Sequence, residues 1–398
     1  MAATRPRTLD QVTDAANAAG LKKTSGVIQV LKFSDNLMSE NYKLLELPSG
    51  VLDSFENGER IVIRGDVQDD AVLCTENDTF DLKLADMSNT MLLTSNTLLP
   101  TMTEFDSSEV LKESEICGCV SMYYELRHCQ AKLQGLKKLL EETSYRGETF
   151  EKQVKDGLFV RYTLEDLRER VQASENELRN GLREMEALEI NGYWRILETE
   201  YREKVVVAIL NLLDENSWSY DRVPMKETCD VLEELEPRFV ISHCLKCYGE
   251  VVSMKTEEGN EETYYKLSEA KVCTFYAEFL LRPAGRFNYY EFMEAWKQTV
   301  PEGMHVDDTH LQGIALSDMA SSPAVIWHFP KDNLPSDPAM RFNKLFKTRE
   351  KWTLDDIQPY LADLESPGQS LKALLLKYAR CSTDATGNKV YNSKRPLN

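Results

Sequence analysis

Tyr162-Thr163-Leu164-Glu165-Asp166-Leu167, then Ala173-Ser174-Glu175-Asn176-Glu177-Leu178, then Asn191-Gly192-Tyr193-Trp194-Arg195-Ile196-Leu197: this run holds two helix starts and a turn within 36 residues. A threonine ahead of a short apolar-periodic segment predicts a capped helix. The second segment predicts another, with Leu178, Leu182, Met185 and Leu188 on one face. Asn191-Gly192 predicts a turn into an amphipathic strand. Helix, short helix, longer helix and wing is the order of the winged helix-turn-helix.

Outward toward the C-terminus the same order recurs. Helices are expected over 200–214, 224–235 and 237–248, with a polar loop over 256–262 and a strand over 263–267. Helices over 269–281, 288–299 and 305–316 follow, with Gly285-Arg286-Phe287 as a turn and an apolar strand over 324–329. The last set is 337–349, 353–361 and 370–379 with a strand over 389–393. Spacing of about 65 residues predicts three or four compact modules.

Outward toward the N-terminus the texture changes. After a short helix over 9–19, strands are expected over 27–33, 42–47, 60–64, 71–75, 79–84 and 90–95. Pro48-Ser49-Gly50, Asn57-Gly58, Gly65-Asp66, Asn77-Asp78 and Ser88-Asn89 read as the breaks between them. This is a small antiparallel β domain, and from about residue 111 the pattern reads as helical. The fold class is therefore α+β multidomain, divided as 1–110, 111–198 (helical linker and winged-helix-like module), 199–268, 269–331 and 332–398. Six short strands leave open edges, which a partner's strands could complete into a barrel; a barrel that closes on itself is the alternative. Val27, Val30, Phe33, Ile61, Ile63, Phe80 and Leu82 are the candidate contacts there, with Tyr193 and Trp194 as aromatic anchors on the first module, although burial is the common fate of such aromatics.

With 398 residues the chain exceeds what one core organises, and 42% hydrophobic with 28% charged content is that of a folded soluble protein. No apolar run approaches the roughly 20 residues of a bilayer span, so no membrane role is expected and the cytosol or nucleus is the expected location. Nine cysteines, scattered and odd in number, read as reduced thiols. Cys117/Cys119 and His243-Cys244-x-x-Cys247 each lack the second pair that a four-ligand zinc site needs, so no cofactor or metal is expected. Phosphate-loop, nucleophile-elbow, His-Glu-x-x-His and dinucleotide patterns are all missing, and no catalytic residue is nominated.

The formal charge of −19 is unevenly placed. Residues 338–398 hold 11 Lys and Arg against 6 Asp and Glu, a net of +5, which leaves −24 on the other 337 residues. In a winged helix the third helix enters the major groove and the wing meets phosphates. Lys372, Lys377 and Arg380 would lie on that helix, Lys389, Lys394 and Arg395 around the wing, and Lys344, Lys347, Arg349 and Lys351 before them. These are the candidate DNA contacts; a solvated basic face is the alternative. The third helix of the first module instead carries Glu175, Glu177, Glu184, Glu186 and Glu189, which would repel phosphate and suit protein docking.

Several stretches resemble the DCC family of sister chromatid cohesion proteins: Tyr-Glu-Leu-Arg at 124–127, Asn-Gly-Tyr-Trp-Arg-Ile-Leu at 191–197, His-Cys-Leu-Lys-Cys-Tyr-Gly at 243–249, Thr-Val-Pro-Glu-Gly-Met at 299–304, Arg-Glu-Lys-Trp-Thr at 349–353 and Lys-Val-Tyr-Asn-Ser-Lys-Arg-Pro at 389–396. The resemblance implies a nuclear, non-catalytic subunit of a replication-factor-C-like alternative clamp loader that acts on the clamp PCNA at replication forks. It implies an N-terminal β domain forming a composite barrel with the large AAA+ subunit and the small chromosome-transmission-fidelity subunit. It further implies winged helices facing the DNA polymerase epsilon catalytic subunit and single- or double-stranded DNA. The competing expectation is a tandem winged-helix scaffold of a membrane-sorting or ubiquitin-pathway complex with no DNA role.

Overall fold

The computed structural model describes residues 8–21, 28–35, 37, 42–67, 69–95, 97, 111–153, 160–255, 261–365, 369–383 and 387–394. Two compact units are present: one of residues 1–61, 70–73 and 80–127, the other of residues 62–69, 74–79 and 128–398.

The chain opens with α1 (Leu9–Ala18), whose Thr8 and Gln11 form a reciprocal capping box. Then come β1 (Ile28–Phe33), β2 (Leu45–Glu46), α2 (Ser49–Glu56), β3 (Val62–Arg64), β4 (Val72–Cys74), β5 (Thr79–Thr94) and β6 (Leu111–Cys129). Within the first unit the strand order is β1-β6-β5-β4, with β2 also beside β6, and this path does not close on itself. Both β1 and β2 run parallel to β6, in register Ile28↔Leu111 and Leu45↔Tyr124. The sheet is thus mixed, and the expectation of an antiparallel domain is corrected: alternation along a strand fixes which face is buried but carries no information on the direction of a neighbour more than 75 residues away.

The second correction concerns β6 itself, which occupies residues read as helical from 111 onward. Ser114, Ile116, Gly118 and Val120 are buried at a spacing of two, the signature of a strand with one covered face. Gly118 sits at a close approach: a Cβ there would lie 3.2 Å from Leu93 Cδ1 and 3.4 Å from Tyr42 Cδ2, so those side chains would have to give by a few tenths of an ångström. Two expected strands over 79–84 and 90–95 are one 16-residue strand, β5, since Ser88 and Asn89 sit exposed and extended instead of turning. The breakers at 48–50 and 57–58 are the two ends of a helix, α2. Pro48 fits its N-terminus, where no N–H is needed, and Gly58 at φ +74° ends it.

In the second unit, a run of helical segments ending in an antiparallel strand pair recurs four times among the described residues. The first group is α3 (Leu133–Glu142), α4 (Glu148–Gln153), α5 (Leu164–Arg170), α6 (Glu175–Glu184) and the hairpin β7 (Leu188–Ile190) and β8 (Tyr193–Arg195). Thr163 and Asp166 cap α5 reciprocally and Ser174 and Glu177 cap α6, so the expected start signals are observed. Asn191 at φ +53° and Gly192 at φ +85° make the tight turn whose double positive φ matches strand twist. The second group is α7 (Thr199–Glu215), β9 (Val223–Pro224), α8 (Met225–Leu232), α9 (Arg238–Tyr248), β10 (Gly249–Lys255) and β11 (Glu261–Leu267).

The third group is α10 (Glu269–Ala284), β12 (Arg286–Asn288), α11 (Tyr289–Thr299), a 3-10 turn Asp308–Leu311, β13 (Ala315–Asp318) and β14 (Val325–His328). The helix expected over 305–316 is therefore only one turn: Gly313 at φ +78° ends it and the chain enters β13. The fourth is α12 (Pro338–Thr348), α13 (Leu354–Ile357), 3-10 turns Gln358–Tyr360 and Ala362–Leu364, α14 (Leu371–Tyr378), β15 (Ala379–Thr383) and β16 (Lys389–Ser393).

Three cores hold these groups. Leu136, Leu140, Leu167, Leu178 and Leu182 form that of the first. The second and third groups share one core, entered by Val205, Val206, Ile209, Leu210, Leu212 and Leu213 of α7 on one helical stripe. Each such side chain contributes about 1.5–3 kcal/mol by leaving water. The fourth core centres on Phe342, Leu345, Trp352, Tyr360 and Leu374, with Leu316 from the third group joining it.

Candidate nucleic-acid interface

The fourth group carries the basic residues singled out above, and its architecture decides which of them face outward. On α14, Leu374 and Leu375 point into the core, and this forces Lys372, Ala373, Leu376 and Lys377 onto the opposite, exposed face. Ser370 caps this helix, its side chain accepting from Ala373 N. The chain then turns into β15, which pairs antiparallel with β16 in the register Ala379↔Ser393 to Thr383↔Lys389. Arg380 and Lys389 are exposed at opposite ends of that hairpin. Lys394 Nζ donates to Leu376 O at 3.2 Å, which sets a cation at the C-terminal end of α14 and brings it beside Lys377.

The hairpin is fastened to the core by Trp352, whose N–H donates to Tyr391 O at 2.9 Å while Tyr391 N–H donates to Trp352 O at 2.7 Å. Lys344, Lys347 and Lys351 are exposed on and after α12. None of Lys344, Lys347, Lys351, Lys372, Lys377, Arg380, Lys389 and Lys394 forms an ion pair with a described residue, so no described carboxylate neutralises their charge. Two arginines behave differently. Arg349 is half-buried: its guanidinium lies over the Trp352 ring at 5.1 Å, pairs with Asp356 at 3.1 Å and donates to Ser317 O. Arg341 is buried and donates to Pro335 O, Tyr360 O and Asp363. These two hold the group together, and Arg349 is not brought together with the exposed set. Arg395 lies outside the described residues.

The helix of the first group that leads into its hairpin, α6, presents the opposite case. Its first turn is covered by the chain's own segment 74–79: Ser174 N–H donates to Thr79 Oγ1 at 2.9 Å, Thr79 Oγ1 donates to Glu177 at 2.6 Å, Asn176 N–H donates to Glu76 O at 3.1 Å, and Asn176 Nδ2 donates to Asn77 Oδ1 at 2.6 Å. A helix reads a groove with its N-terminal residues, and here those positions are both acidic and occupied. Glu175 is further paired with Arg168 and Arg179, and these guanidiniums hold its carboxyl below the usual range.

The candidate partner contacts divide as well. Phe33 on β1 is 62% exposed and Ile63 60%. Val30, Ile61, Phe80 and Leu82 are half-buried, and Val27 lies outside the described residues. Leu31, 49% exposed, was missed. The set Val27, Val30, Phe33 follows a spacing of three, whereas a strand shows one face at a spacing of two, which pairs Leu31 with Phe33. Tyr193 and Trp194 are half-buried, and Trp194 packs on the first core, so neither stands out as an anchor.

In the His243–Cys247 segment, His243 Nε2 lies 2.8 Å from Glu186 O and 3.4 Å from Cys247 Sγ. Burial pushes the Cys247 thiol up to about 12 and the Cys244 thiol higher still, which disfavours the thiolate that nucleophilic chemistry needs. Among the described residues, no group of three or more His, Cys, Asp or Glu is placed to hold a metal ion.

The described residues thus form an α+β protein with a helical array whose last group exposes lysines and a sheet that exposes apolar side chains. Comparison with known proteins gives the particular family. The model of the family described as sister chromatid cohesion protein Dcc1 matches residues 42–361. The zebrafish (Danio rerio) sister chromatid cohesion protein DCC1 is 41% identical over 394 residues, 98% of this chain and 99% of that protein. The human (Homo sapiens) protein of that name is 43% identical over 358 residues, 90% of this chain and 89% of its own. A probable DCC1 from Dictyostelium discoideum is 28% identical over 383 residues, 91% of this chain and 96% of that protein. The chain belongs to the sister chromatid cohesion protein Dcc1 family.

Proposed function

We propose that this chain is a non-catalytic nuclear subunit that supports sister chromatid cohesion within a replication-factor-C-like alternative clamp loader acting on PCNA, joining that loader to the DNA polymerase epsilon catalytic subunit and to DNA. Near full-length identity to cohesion proteins carries the cohesion role. On this reading the four groups of the second unit are winged helices, and the last is the DNA-facing one. Support comes from the exposed lysines on α14 and the β15–β16 hairpin, where cations without carboxylate partners remain available to phosphate. The front sheet, mixed and open, is read as part of a barrel completed by the large AAA+ subunit and the small chromosome-transmission-fidelity subunit; the exposed Leu31 and Phe33 support this.

Replacing Lys389 and Lys394 by Gln is expected to lower the affinity of the full chain for a labelled DNA duplex and to flatten its salt dependence by about 0.9 for each phosphate no longer neutralised. Fluorescence anisotropy at two or more salt concentrations measures both, and an unaltered slope would remove the DNA assignment.

Replacing Leu31 and Phe33 together by Lys is expected to leave the melting of the isolated chain within about 0.5 kcal/mol of the parent, since exposed positions tolerate change. The same variant should no longer co-purify with the small loader subunit. Normal co-purification would refute the shared-barrel reading.

A further inference from the structure

The first and fourth groups of the second unit meet, although about 200 residues separate them. Gln130 Nε2 donates to Asp363 O at 2.7 Å and to Glu365 O at 3.1 Å, and Gln134 Nε2 reaches Leu334 O at 3.4 Å. Lys137 Nζ of α3 donates to Asp332 O at 3.1 Å, and Lys344 Nζ of α12 donates to Asn333 O at 2.9 Å. Two ammoniums from opposite ends of the array therefore converge on consecutive carbonyls of the 3-10 turn Lys331–Asn333. Lys347 lies one turn beyond Lys344 on the same helix, and Lys331 belongs to the turn itself; both are exposed.

Opposing carboxylates are few: Glu141 stands 3.9 Å from Lys137, and Asp332 belongs to the turn. Lys331, Lys344 and Lys347 have no ion pair among the described residues. Each ammonium has three N–H donors, and one carbonyl apiece satisfies only one of those of Lys137 and Lys344. Two cations brought together by tertiary structure, with donors to spare and two further exposed lysines flanking them along the chain, suit a polyanion recognised through point charges.

We propose that Lys137, Lys331, Lys344 and Lys347 form a composite phosphate-contact site for the phosphodiester backbone of a nucleic acid, built jointly by the first and fourth groups. It rests on the reading of the last group as a DNA contact and extends it: α12 leads to Lys351, next to Trp352, which bridges Tyr391 of the hairpin, so the tract is read as running from the hairpin over α12 onto α3. The first group, whose α6 start is closed, contributes from α3 instead. A phosphate tract of this kind positions the duplex and carries no base preference.

The test uses the full chain and a labelled DNA duplex, with affinity measured as a function of salt. Lys137→Gln with Lys344→Gln keeps an N–H donor for each carbonyl and removes only the charge. This pair is expected to make the slope of log affinity against log salt shallower by about 2 and to lower affinity on the order of tenfold at physiological salt. Lys137→Arg with Lys344→Arg should restore both. An unchanged slope in the Gln pair, with a flattened slope in Lys389→Gln with Lys394→Gln, overturns the composite site and leaves the DNA reading standing. If neither pair alters the slope, both are overturned. A Gln pair that binds duplex normally but no longer binds labelled poly-glutamate assigns the lysines to an acidic polypeptide and likewise overturns the proposal.

Discussion

Trp352→Ala is expected to destabilise the fourth group by about 3–5 kcal/mol, the range for deleting a fully buried large aromatic. Trp352 is 0% exposed, and its ring meets that of Tyr360 edge-on at 5.7 Å. Its indole N–H donates to Arg349 O at 2.8 Å, so truncation leaves a cavity and an unpaired carbonyl. The Arg349 guanidinium is deprived of its aromatic face at the same time. Because the backbone of Trp352 bridges Tyr391 of the β15–β16 hairpin, the disruption should spread to Lys389 and Lys394. Urea unfolding followed by tryptophan fluorescence and by duplex binding checks this: an early transition that abolishes binding while the helical signal of the other groups persists. A variant melting with parent stability would show that this residue is not the keystone of its core.

Arg195→Met is expected to destabilise the first group by about 3–5 kcal/mol, because it strands the partners of a buried charge. Arg195 side-chain exposure is 5%, and it pairs with Glu151 at 2.8 Å while donating to Ser144 O at 3.0 Å and to Thr143 O. Its guanidinium also lies over the Tyr145 ring at 5.6 Å. Methionine fills similar volume but leaves two carbonyls unmet and Glu151 with only Arg161, at 2.9 Å. Adding Glu151→Gln should recover part of the stability, since the two residues act as one network. Thermal melts of the two single variants and the double variant measure the coupling, and strictly additive effects would refute it.

The helical half of the fold was legible because its punctuation is local. Thr163, Ser174, Asp337, Thr353 and Ser370 all cap the helices they precede, and Asn191-Gly192 makes the turn its chemistry requires. The sheet was less legible because strand pairing is nonlocal. Nothing near Ile28 announces that its neighbour is Leu111, and the charged run at 112–115 hid an alternation visible only from Ile116 onward. The basic end could be read from composition, but composition does not separate Arg349, folded onto Trp352, from Lys351, which is exposed. The meeting of Lys137 with Lys344 lay beyond any local pattern.

The cover over the start of α6 bears on where the chain tolerates alteration. Glu76-Asn77-Asp78 is an exposed polar turn between two strands, the type of place usually chosen for epitope tags or fluorescent-protein insertions. Its Glu76 carbonyl instead accepts the Asn176 N–H and its Asn77 side chain accepts from the Asn176 side chain, both in the first turn of a helix about 100 residues onward, so lengthening it would unseat that helix as well. The tip that looks most expendable is the one least open to editing.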